Sequence, residues 1–384
     1  MCAVTVNFET MAGIYIHIPF CKQKCHYCNF FSVATTRWKE PYIEALLKEI
    51  ELRKDYLEGE TVNTIYLGGG TPSLLHLSDI ALIIEHLTRH FSIDSQVEIT
   101  LEANPDDINE DKAREWKNTS INRLSIGVQS FFDDDLQYLN RVHNSAQVFG
   151  AIDSARNAGF DNLTIDLIYG IPTLTDEKWI KNLEYFFALN IPHLSAYSLT
   201  VEEKTPLALL IKKGKYAAVD EQQSIGHFKI LLEEIRKNGF IHYEISNFAR
   251  EGYYSRHNSL YWLGGHYLGL GPSAHSFNGN SRQWNVSNIS KYIQMDDFHT
   301  TVEEKEILTK DQKYNEYVMT SLRTIWGCDT VHILNVFGRE FESHFIQLAG
   351  QYLGKNHLYR EGSKYFLTDE GKLFADGIAS SLFI

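Results

Sequence analysis

Short apolar strand patterns alternate with longer amphipathic helical patterns through the first two hundred residues, and this alternation constrains the fold most strongly. Turn residues such as Gly, Pro and Asn bound each strand pattern. The six strand candidates are Gly13–Pro19, Thr64–Leu67, Val97–Glu102, Arg123–Val128, Asn162–Ile168 and His193–Leu199. Between them, apolar residues recur at helical spacing, as in Ile80, Ile83, Ile84 and Leu87. The pattern predicts βαβ units and therefore an α/β fold with a parallel sheet.

Five of the six strand candidates run directly into a motif rich in Gly, Cys or polar residues. These motifs are Cys21 to Cys28, Gly68-Gly69-Gly70-Thr71-Pro72, Glu102-Ala103-Asn104-Pro105, Gly127-Val128-Gln129-Ser130 and Asp166-Leu167-Ile168-Tyr169-Gly170. Parallel α/β folds bind ligands at the carboxyl ends of their strands, because the loops there converge and vary without disturbing the core. One composite ligand site is therefore predicted. Ordinary βα loops would explain any one motif, but five such motifs would then be a coincidence.

Charge, hydropathy and cysteine usage exclude several classes of protein. The formal net charge of -13 argues against nucleic-acid binding, which needs a clustered basic surface, and favours a small-molecule ligand. No apolar run approaches the ~20 residues of a membrane span, and no signal-peptide pattern is present, so a cytoplasmic protein is expected. Three of the five cysteines fall between positions 21 and 28, which is typical of a metal site rather than a disulfide framework.

The chain changes character after residue 246. Aromatic residues, histidine and glycine dominate residues 247–277 without clean periodicity, and helices followed by a hairpin-like pair are predicted over 305–384. A winged-helix-like module fits that order, although its acidic excess from residue 303 onward disfavours DNA binding. The predicted organisation is an N-terminal leader at 1–12, an α/β domain at 13–246, an aromatic and His-rich connecting region at 247–300, and a C-terminal winged-helix-like α+β module at 301–384.

The cysteines at positions 21, 25 and 28 can direct three thiolates toward one iron-sulfur cluster, because soft thiolates are its preferred ligands. The fourth iron of a 4Fe-4S cluster has no obvious cysteine, so it could chelate an exchangeable small molecule. A structural zinc site that uses His26 as the fourth ligand is the alternative, since Cys3His is a normal tetrahedral set. The spacing by itself leaves both alternatives open.

The CX3CX2C spacing of Cys21, Cys25 and Cys28, with Tyr27 before the third cysteine, resembles the radical S-adenosylmethionine superfamily. Together with the run Tyr15 to Cys21 and the motifs that begin at Gly68, Gly127 and Asp166, it resembles the branch of oxygen-independent coproporphyrinogen III oxidases and HemW-type haem chaperones. The likeness extends from about Ile14 into the C-terminal module. It implies a partial parallel (β/α) barrel, a 4Fe-4S cluster on the three cysteines, and S-adenosylmethionine on the open iron.

The resemblance also implies which residues contact S-adenosylmethionine. The positions that match contacts to a first molecule are Tyr15, Gly69, Gly70, Thr71 and Glu102. Those that match contacts to a second molecule in the oxidases are Tyr27, Gln129, Arg141 and Asp166. Plain structural roles are the alternative for these four: Asp166 could pair with Arg141 across the barrel mouth, and Gln129 could satisfy loop backbone. No catalytic residue is assigned.

Two departures from the oxidase pattern favour the chaperone type. The oxidases continue as CX3CX2CXC, whereas Phe30 stands where that further cysteine would be. The oxidases also carry a substantial segment before the cluster that helps to close the site, and here twenty residues precede Cys21. Whether the protein is an enzyme is therefore left open, and a true coproporphyrinogen III dehydrogenase is disfavoured.

The run from His257 to Trp262 matches the HNXXYW motif of the chaperone branch, which is associated with haem. The implied haem contacts are His257, Asn258, Tyr261 and Trp262, with His266 and His275 as rival axial ligands. An aromatic-histidine cluster that packs the barrel against the C-terminal module is the alternative. The implied partners are haem or a porphyrin, an electron donor and haem-accepting apoproteins. The competing hypotheses are an oxidase, and a metal-stabilised binding protein without redox chemistry; the oligomeric state stays open.

Overall fold

The computed structural model describes residues 11–295 and 302–384. The leader predicted at 1–12 falls mostly outside the described residues; Ala12 already belongs to the first strand.

Seven parallel strands form the centre of a large sheet, in the order β9-β1-β2-β3-β4-β5-β6. Their bounds are β1 Ala12–Ile18, β2 Val62–Gly69, β3 Ile93–Ala103, β4 Arg123–Gln129, β5 Asn162–Tyr169, β6 His193–Ser198 and β9 His266–Leu270. The six strands predicted from the sequence are all present, and the α/β class with a partial parallel barrel is confirmed.

Helices cover one face of the parallel strands and bury their apolar stripes against it. In α2, for example, Ile80, Ile83, Ile84 and Leu87 are the buried residues, as their spacing predicts. The helices of this part are α1 Lys39–Leu52, α2 Leu77–His90, α3 Glu110–Lys117, α4 Asp133–Tyr138, α5 Ser145–Asn157, α6 Asp176–Ala188, α7 Pro206–Lys212, α8 Glu221–Lys237, α9 Arg256–Trp262 and α10 Ile289–Ile293.

Antiparallel strands extend the sheet at both edges. They are β7 Ile241–Glu244 and β8 Asn247–Ala249 beside β6, and β10 His275–Phe277, β11 Ser281–Asn285 and β12 Val302–Ile307 beyond β9. Much of the region predicted as a connection at 247–300 is therefore built into the sheet. The strands there have three to five residues, which is too short for a clear alternating pattern.

Alternation along the strands gives the two faces of the sheet different chemistry. On β4, Leu124 and Ile126 belong to the apolar core, whereas Ser125 and Gly127 line a cavity on the inner face. Such alternation follows from the two-residue period of a strand. The inner face is therefore available for polar ligand contacts, while the outer face packs against the helices that connect the parallel strands.

The C-terminal module has its own apolar core and a three-stranded antiparallel sheet, which confirms the predicted helices and hairpin. Its elements are α11 Lys310–Leu322, β13 Cys328–Asp329, α12 Thr330–Phe337, α13 Arg339–Gly354, β14 Leu358–Glu361, β15 Lys364–Leu367, α14 Asp369–Lys372 and α15 Ala375–Ser381. The side chain of Thr368 caps α14 by accepting from Gly371 N. Within the described ranges, the helices fall short of the length and apolarity that a membrane crossing requires.

Candidate functional site

A cavity of about 560 Å³ lies at the carboxyl ends of the parallel strands. All five motifs that follow strands contribute to its walls, so the structure brings them together. The predicted site residues in the lining are Cys21, Cys25, Tyr27, Cys28, Gly69, Gly70, Thr71, Glu102, Gln129, Arg141 and Asp166. Tyr15 lies behind the lining, since its ring is 3.0 Å from the place that a Cβ on Gly68 would occupy.

The cysteine loop is fixed to the barrel at several points. His26 N donates to Leu139 O at 3.1 Å, which ties the loop to the segment after α4. On the other side, Lys22 Nζ pairs with Asp106 Oδ2 at 2.6 Å, beyond the end of β3. The loop of residues 21–28 is therefore held between the end of α4 and the segment after β3, and its cysteines have defined positions at the cavity wall.

The three thiols suit a cluster better than a single ion. Cys21, Cys25 and Cys28 are all free and partly exposed, and Arg141 Nη1 lies 3.3 Å from Cys25 Sγ. Three ligands of one zinc ion would each lie about 2.3 Å from it, whereas the ligands of a four-iron cluster bind different iron atoms. Among the described residues, no group of three His, Cys, Asp or Glu side chains could hold one metal ion.

His26, the fourth ligand in the zinc alternative, is engaged elsewhere. Its Nδ1 lies 3.2 Å from Tyr138 O, and its ring packs edge-on against Tyr216 at 5.4 Å between centroids. These contacts give His26 a role in anchoring the loop.

Glycines create the space beside the cysteine loop. A Cβ on Gly70 would lie 2.6 Å from Phe20 O and 3.0 Å from Cys21 Sγ, so any side chain there would displace the loop. Gly69 has φ +110°, in the region that favours glycine. Its N–H donates to Glu102 Oε2 at 3.1 Å. The β2 loop and the end of β3 are therefore joined by backbone that only glycine provides.

Glu102 is the acidic group nearest to this glycine loop. Tyr66 donates its hydroxyl to Glu102 Oε1 at 2.8 Å. Burial raises the pKa of Glu102 to about 7, and the hydrogen bonds from Tyr66 and Gly69 oppose that shift. The carboxylate can accept further hydrogen bonds from a ligand with vicinal hydroxyls, such as a ribose.

Arg141 connects three parts of the cavity lining. Its Nη2 donates to Asn104 Oδ1 at 2.6 Å and to Gly127 O at 2.8 Å, and its Nη1 approaches Cys25. These hydrogen bonds go to other groups than Asp166, so direct pairing across the mouth, the simple structural alternative, does not describe this arrangement. A Cβ on Gly127 would lie 3.2 Å from Arg141 Nη2, so a larger residue at this position would crowd the guanidinium.

Gln129 and Asp166 complete the polar lining. Gln129 is buried and has φ +68°, a conformation that a non-glycine residue adopts at an energetic cost and that is common at ligand sites. Burial raises the pKa of Asp166 to about 6, against hydrogen bonds from Ser195 and Ser125 that lower it. A carboxyl that is neutral or charged near pH 6 can change its hydrogen-bonding role with small changes in its surroundings.

Tyr66 and Asn104 are two site residues to which sequence reasoning assigned no individual role. Asn104 bridges the wall by donating to Thr71 Oγ1 at 3.3 Å while it accepts from Arg141. It lies inside a motif singled out from the sequence, so its polar side chain was a usable signal. Tyr66 shares the inner face of β2 with Thr64, and only the two-residue period of that strand could have indicated this.

The HNXXYW motif forms α9, which packs on the inner side of β1 and β2. His257 is only 1% exposed. Its Nδ1 lies 2.8 Å from Thr64 Oγ1 and its Nε2 lies 2.8 Å from Tyr261 OH. Both ring nitrogens are therefore engaged, so ligation of haem iron by His257, which stays a prediction, requires one of these hydrogen bonds to open.

The other members of the motif contact different parts of the chain. Asn258 N donates to the Ser255 side chain that caps α9. Arg323, directly after α11, lies over the Trp262 ring at 5.3 Å, so the motif also contacts the C-terminal module. This arrangement matches the aromatic-histidine packing cluster that was weighed as the alternative to haem binding.

The rival ligands differ in accessibility. His266 Nδ1 lies 2.7 Å from Glu60 Oε1. His275 is exposed, and its ring stacks on Trp284 at 5.8 Å between centroids.

Comparisons with known proteins agree with these features. A model of the Radical SAM superfamily matches residues 15–186. The chain is 31% identical to the "Heme chaperone HemW" of Lactococcus lactis over 93% of both chains. It is 32% identical to the protein of that name from Bacillus subtilis, over 96% of this chain and 98% of the relative.

One solved structure shares nearly the whole fold. It is the coproporphyrinogen III oxidase (HemN) of Escherichia coli, with a TM-score of 0.84 and 24% identity over 98% of this chain and 91% of the other. That likeness shows the fold alone, whereas the identity to the heme chaperones extends over nearly the full length. The chain belongs to the HemW heme chaperone family, within the radical S-adenosylmethionine superfamily.

Proposed function

We propose that this protein is a haem chaperone that carries a 4Fe-4S cluster on Cys21, Cys25 and Cys28 and binds S-adenosylmethionine at the remaining iron. One observation carries the cofactor part of the proposal: three free thiols open onto one cavity, and in the described part of the chain its lining contains no fourth cysteine. A cluster held there would keep one iron available to an exchangeable ligand. When bound, the reduced cluster supplies an electron that can break the sulfonium bond of S-adenosylmethionine.

The residues of the chain then bind and orient the small molecule. The Gly69-Gly70-Thr71 backbone lies beside Cys21, where the amino acid part of S-adenosylmethionine would approach the iron. Glu102 would accept hydrogen bonds from the ribose hydroxyls, because its carboxylate faces the same cavity. Tyr15 would support the adenine side from behind the lining.

A second molecule of S-adenosylmethionine is a finer proposal for the same cavity. Tyr27, Gln129, Arg141 and Asp166 line the same cavity as Glu102 and Gly69. The strained backbone of Gln129 supports a ligand role, since such strain clusters at binding sites.

Haem binding is proposed for the HNXXYW helix, α9. The names of the relatives support a haem-handling role, and Tyr261 and Trp262 offer aromatic surface beside a histidine. Because His257 is closed in by Thr64 and Tyr261, haem ligation there would require opening of α9. An electron donor and haem-accepting apoproteins are the proposed partners.

The oxidase alternative has less support. Phe30 is 68% exposed at the cavity, where the oxidase pattern has a cysteine, and phenylalanine cannot supply a thiol. The fold shared with the oxidase does not by itself carry its activity.

The test combines two anaerobic experiments on the cluster-loaded protein. Haem titration should show saturable binding, and incubation with coproporphyrinogen III, S-adenosylmethionine and reductant should release no carbon dioxide. Decarboxylation would replace the chaperone assignment with the oxidase. No saturable haem binding would leave the third hypothesis, a metal-stabilised binding protein.

The haem ligand is tested by single variants in the same titration. His257→Ala should weaken haem binding and leave the iron and sulfide content unchanged. His266→Ala and His275→Ala serve as matched controls, because each removes a histidine from a nearby strand, β9 or β10, instead of from α9. Normal binding by His257→Ala with loss in either control would move the ligand assignment to that residue.

A further inference from the structure

Three rings form a compact cluster under the glycine loop. The Tyr66 ring stacks on His257 at 5.0 Å and on Tyr15 at 6.1 Å, and Tyr15 is 6.4 Å from His257. A Cβ on Gly68 would lie 2.8 Å from the Tyr66 ring and 3.0 Å from Glu102 Oε1. The cluster therefore lies directly against the end of β2, which leads into the glycine loop of Gly69, Gly70 and Thr71.

His257 is the fixed member of this cluster. Its two ring nitrogens form hydrogen bonds with the hydroxyls of Thr64 on β2 and Tyr261 on its own helix. Its backbone N–H donates to Glu98 Oε1 of β3 at 3.1 Å, and Arg256 N donates to the other oxygen at 3.3 Å. The start of α9 is thus docked on β2 and β3, the two strands that carry Tyr66 and Glu102.

The position of Tyr66 determines how Glu102 is held. The Tyr66 hydroxyl donates to Glu102 Oε1 at 2.8 Å, and its ring is packed on one face by His257. The second oxygen of Glu102 accepts from Gly69 N. A shift of the Tyr66 ring would therefore release one of the two hydrogen bonds that orient this carboxylate.

We propose that His257 is a positioning residue of the S-adenosylmethionine pocket, which acts through Tyr66 on Glu102. The inference rests on the proposed role of Glu102 as a ligand of the ribose. It gives the HNXXYW helix a task in cofactor binding that does not depend on haem. It also accounts for the burial of His257. Burial lowers the pKa of this histidine to about 3, so its imidazole is neutral.

The test measures S-adenosylmethionine affinity of the cluster-loaded protein by anaerobic equilibrium dialysis. His257→Gln should weaken binding about tenfold, and Tyr66→Phe should weaken it by a similar or smaller factor. The double variant should be no weaker than His257→Gln by itself, because both changes act on the same hydrogen bond to Glu102. Iron and sulfide content should match the wild type in all three.

The pH profile supplies a readout that general loosening of the fold would not move. The titratable groups that face Glu102 are Tyr15, Tyr66, Tyr197, Tyr261 and Asp166. The Tyr66 hydrogen bond favours the charged carboxylate, so its loss should move the midpoint of the pH-dependent affinity upward. Both His257→Gln and Tyr66→Phe should show this upward movement.

Ser259→Ala is the matched control on the same helix. Ser259 is equally buried, and its hydroxyl has no hydrogen-bond partner within the described chain, so removal should leave affinity and midpoint unchanged. Should His257→Gln fail to fold, Tyr261→Phe removes one of the bonds that hold the imidazole and should weaken binding by a smaller factor.

Three outcomes would overturn the proposal. The first is wild-type affinity and an unshifted pH midpoint in His257→Gln, or in Tyr261→Phe where that variant replaces it. The second is a double variant whose loss of affinity equals the product of the two single losses. The third is a loss of affinity in Ser259→Ala as large as that in His257→Gln. Failure of the underlying assignment looks different, because Glu102→Gln would then bind S-adenosylmethionine normally. Haem titration of His257→Gln reports separately on the haem ligand.

Discussion

Two regions are rich in polar and aromatic side chains: the cavity at the strand ends, and helix α9, which carries HNXXYW. They differ in how far the hydrogen-bonding groups of those side chains are already occupied by other protein groups. In the cavity, Glu102 and Asp166 have raised pKa values, and glycines keep the space open. In α9, both nitrogens of His257 are hydrogen-bonded and the ring is buried. The difference teaches that the proposed small-molecule site is already open as a cavity, whereas a haem site at α9 would have to be opened.

The largest expected effect is loss of the cluster. Cys25→Ser should abolish the 4Fe-4S spectrum after anaerobic reconstitution, because a serine oxygen is a hard and poor substitute for thiolate. Cys328→Ala is the control, since this buried cysteine lies in the C-terminal module. The control should keep full iron and sulfide content; a full spectrum in Cys25→Ser would contradict the ligand assignment.

Glycine substitutions test whether the cavity is as tightly built as its contacts indicate. Gly70→Ala should destabilise the fold by about 1–3 kcal/mol and lower cluster content, because its Cβ would meet Phe20 O and Ile18 O at 2.6 and 2.9 Å. Gly350→Ala, inside α13 and with nothing within 4 Å of its Cβ, should stabilise by about 1 kcal/mol. Thermal unfolding measures the change in midpoint temperature of each variant relative to the wild type. Equal changes in the two variants would contradict the close approach at Gly70.

Glu102→Gln should separate binding from stability. Because the folded pKa of about 7 exceeds the ordinary value of 4.5, ionisation of Glu102 opposes folding above pH 7, and this cost disappears as the pH falls toward 4.5. The variant should therefore be more stable by about 1–2 kcal/mol at pH 8 and lose that advantage near pH 5. It should also bind S-adenosylmethionine more weakly; normal affinity would remove Glu102 from the site.

The smallest effect is the pH dependence of the wild type. S-adenosylmethionine affinity should be constant above pH 8 and fall by up to about tenfold between pH 8 and 6, as the Glu102 carboxylate is protonated. Haem ligation by His257 should lack this dependence, because burial holds its pKa at about 3. Equilibrium dialysis measures S-adenosylmethionine affinity over this pH range, and haem titration measures haem affinity over the same range. If both affinities changed with pH in the same way, the result would argue against two separate sites.

The same two regions show what the sequence can and cannot predict. Cavity residues follow strand ends in the chain, so local patterns located the cysteines, Glu102 and Asp166, and the fold placed them together. The surroundings of His257 depend on Thr64, nearly two hundred residues earlier, and no local pattern predicts that contact. The short edge strands such as β10 were missed for a related reason, since antiparallel pairing of three residues leaves no periodic signal.

The most direct test of the central claim uses the wild-type protein, reconstituted anaerobically with iron and sulfide in the presence of zinc. The account predicts a four-iron cluster whose reduced EPR signal changes when S-adenosylmethionine is added. Uptake of zinc instead, or a cluster whose signal is unaffected by saturating S-adenosylmethionine, would contradict an open iron held by Cys21, Cys25 and Cys28.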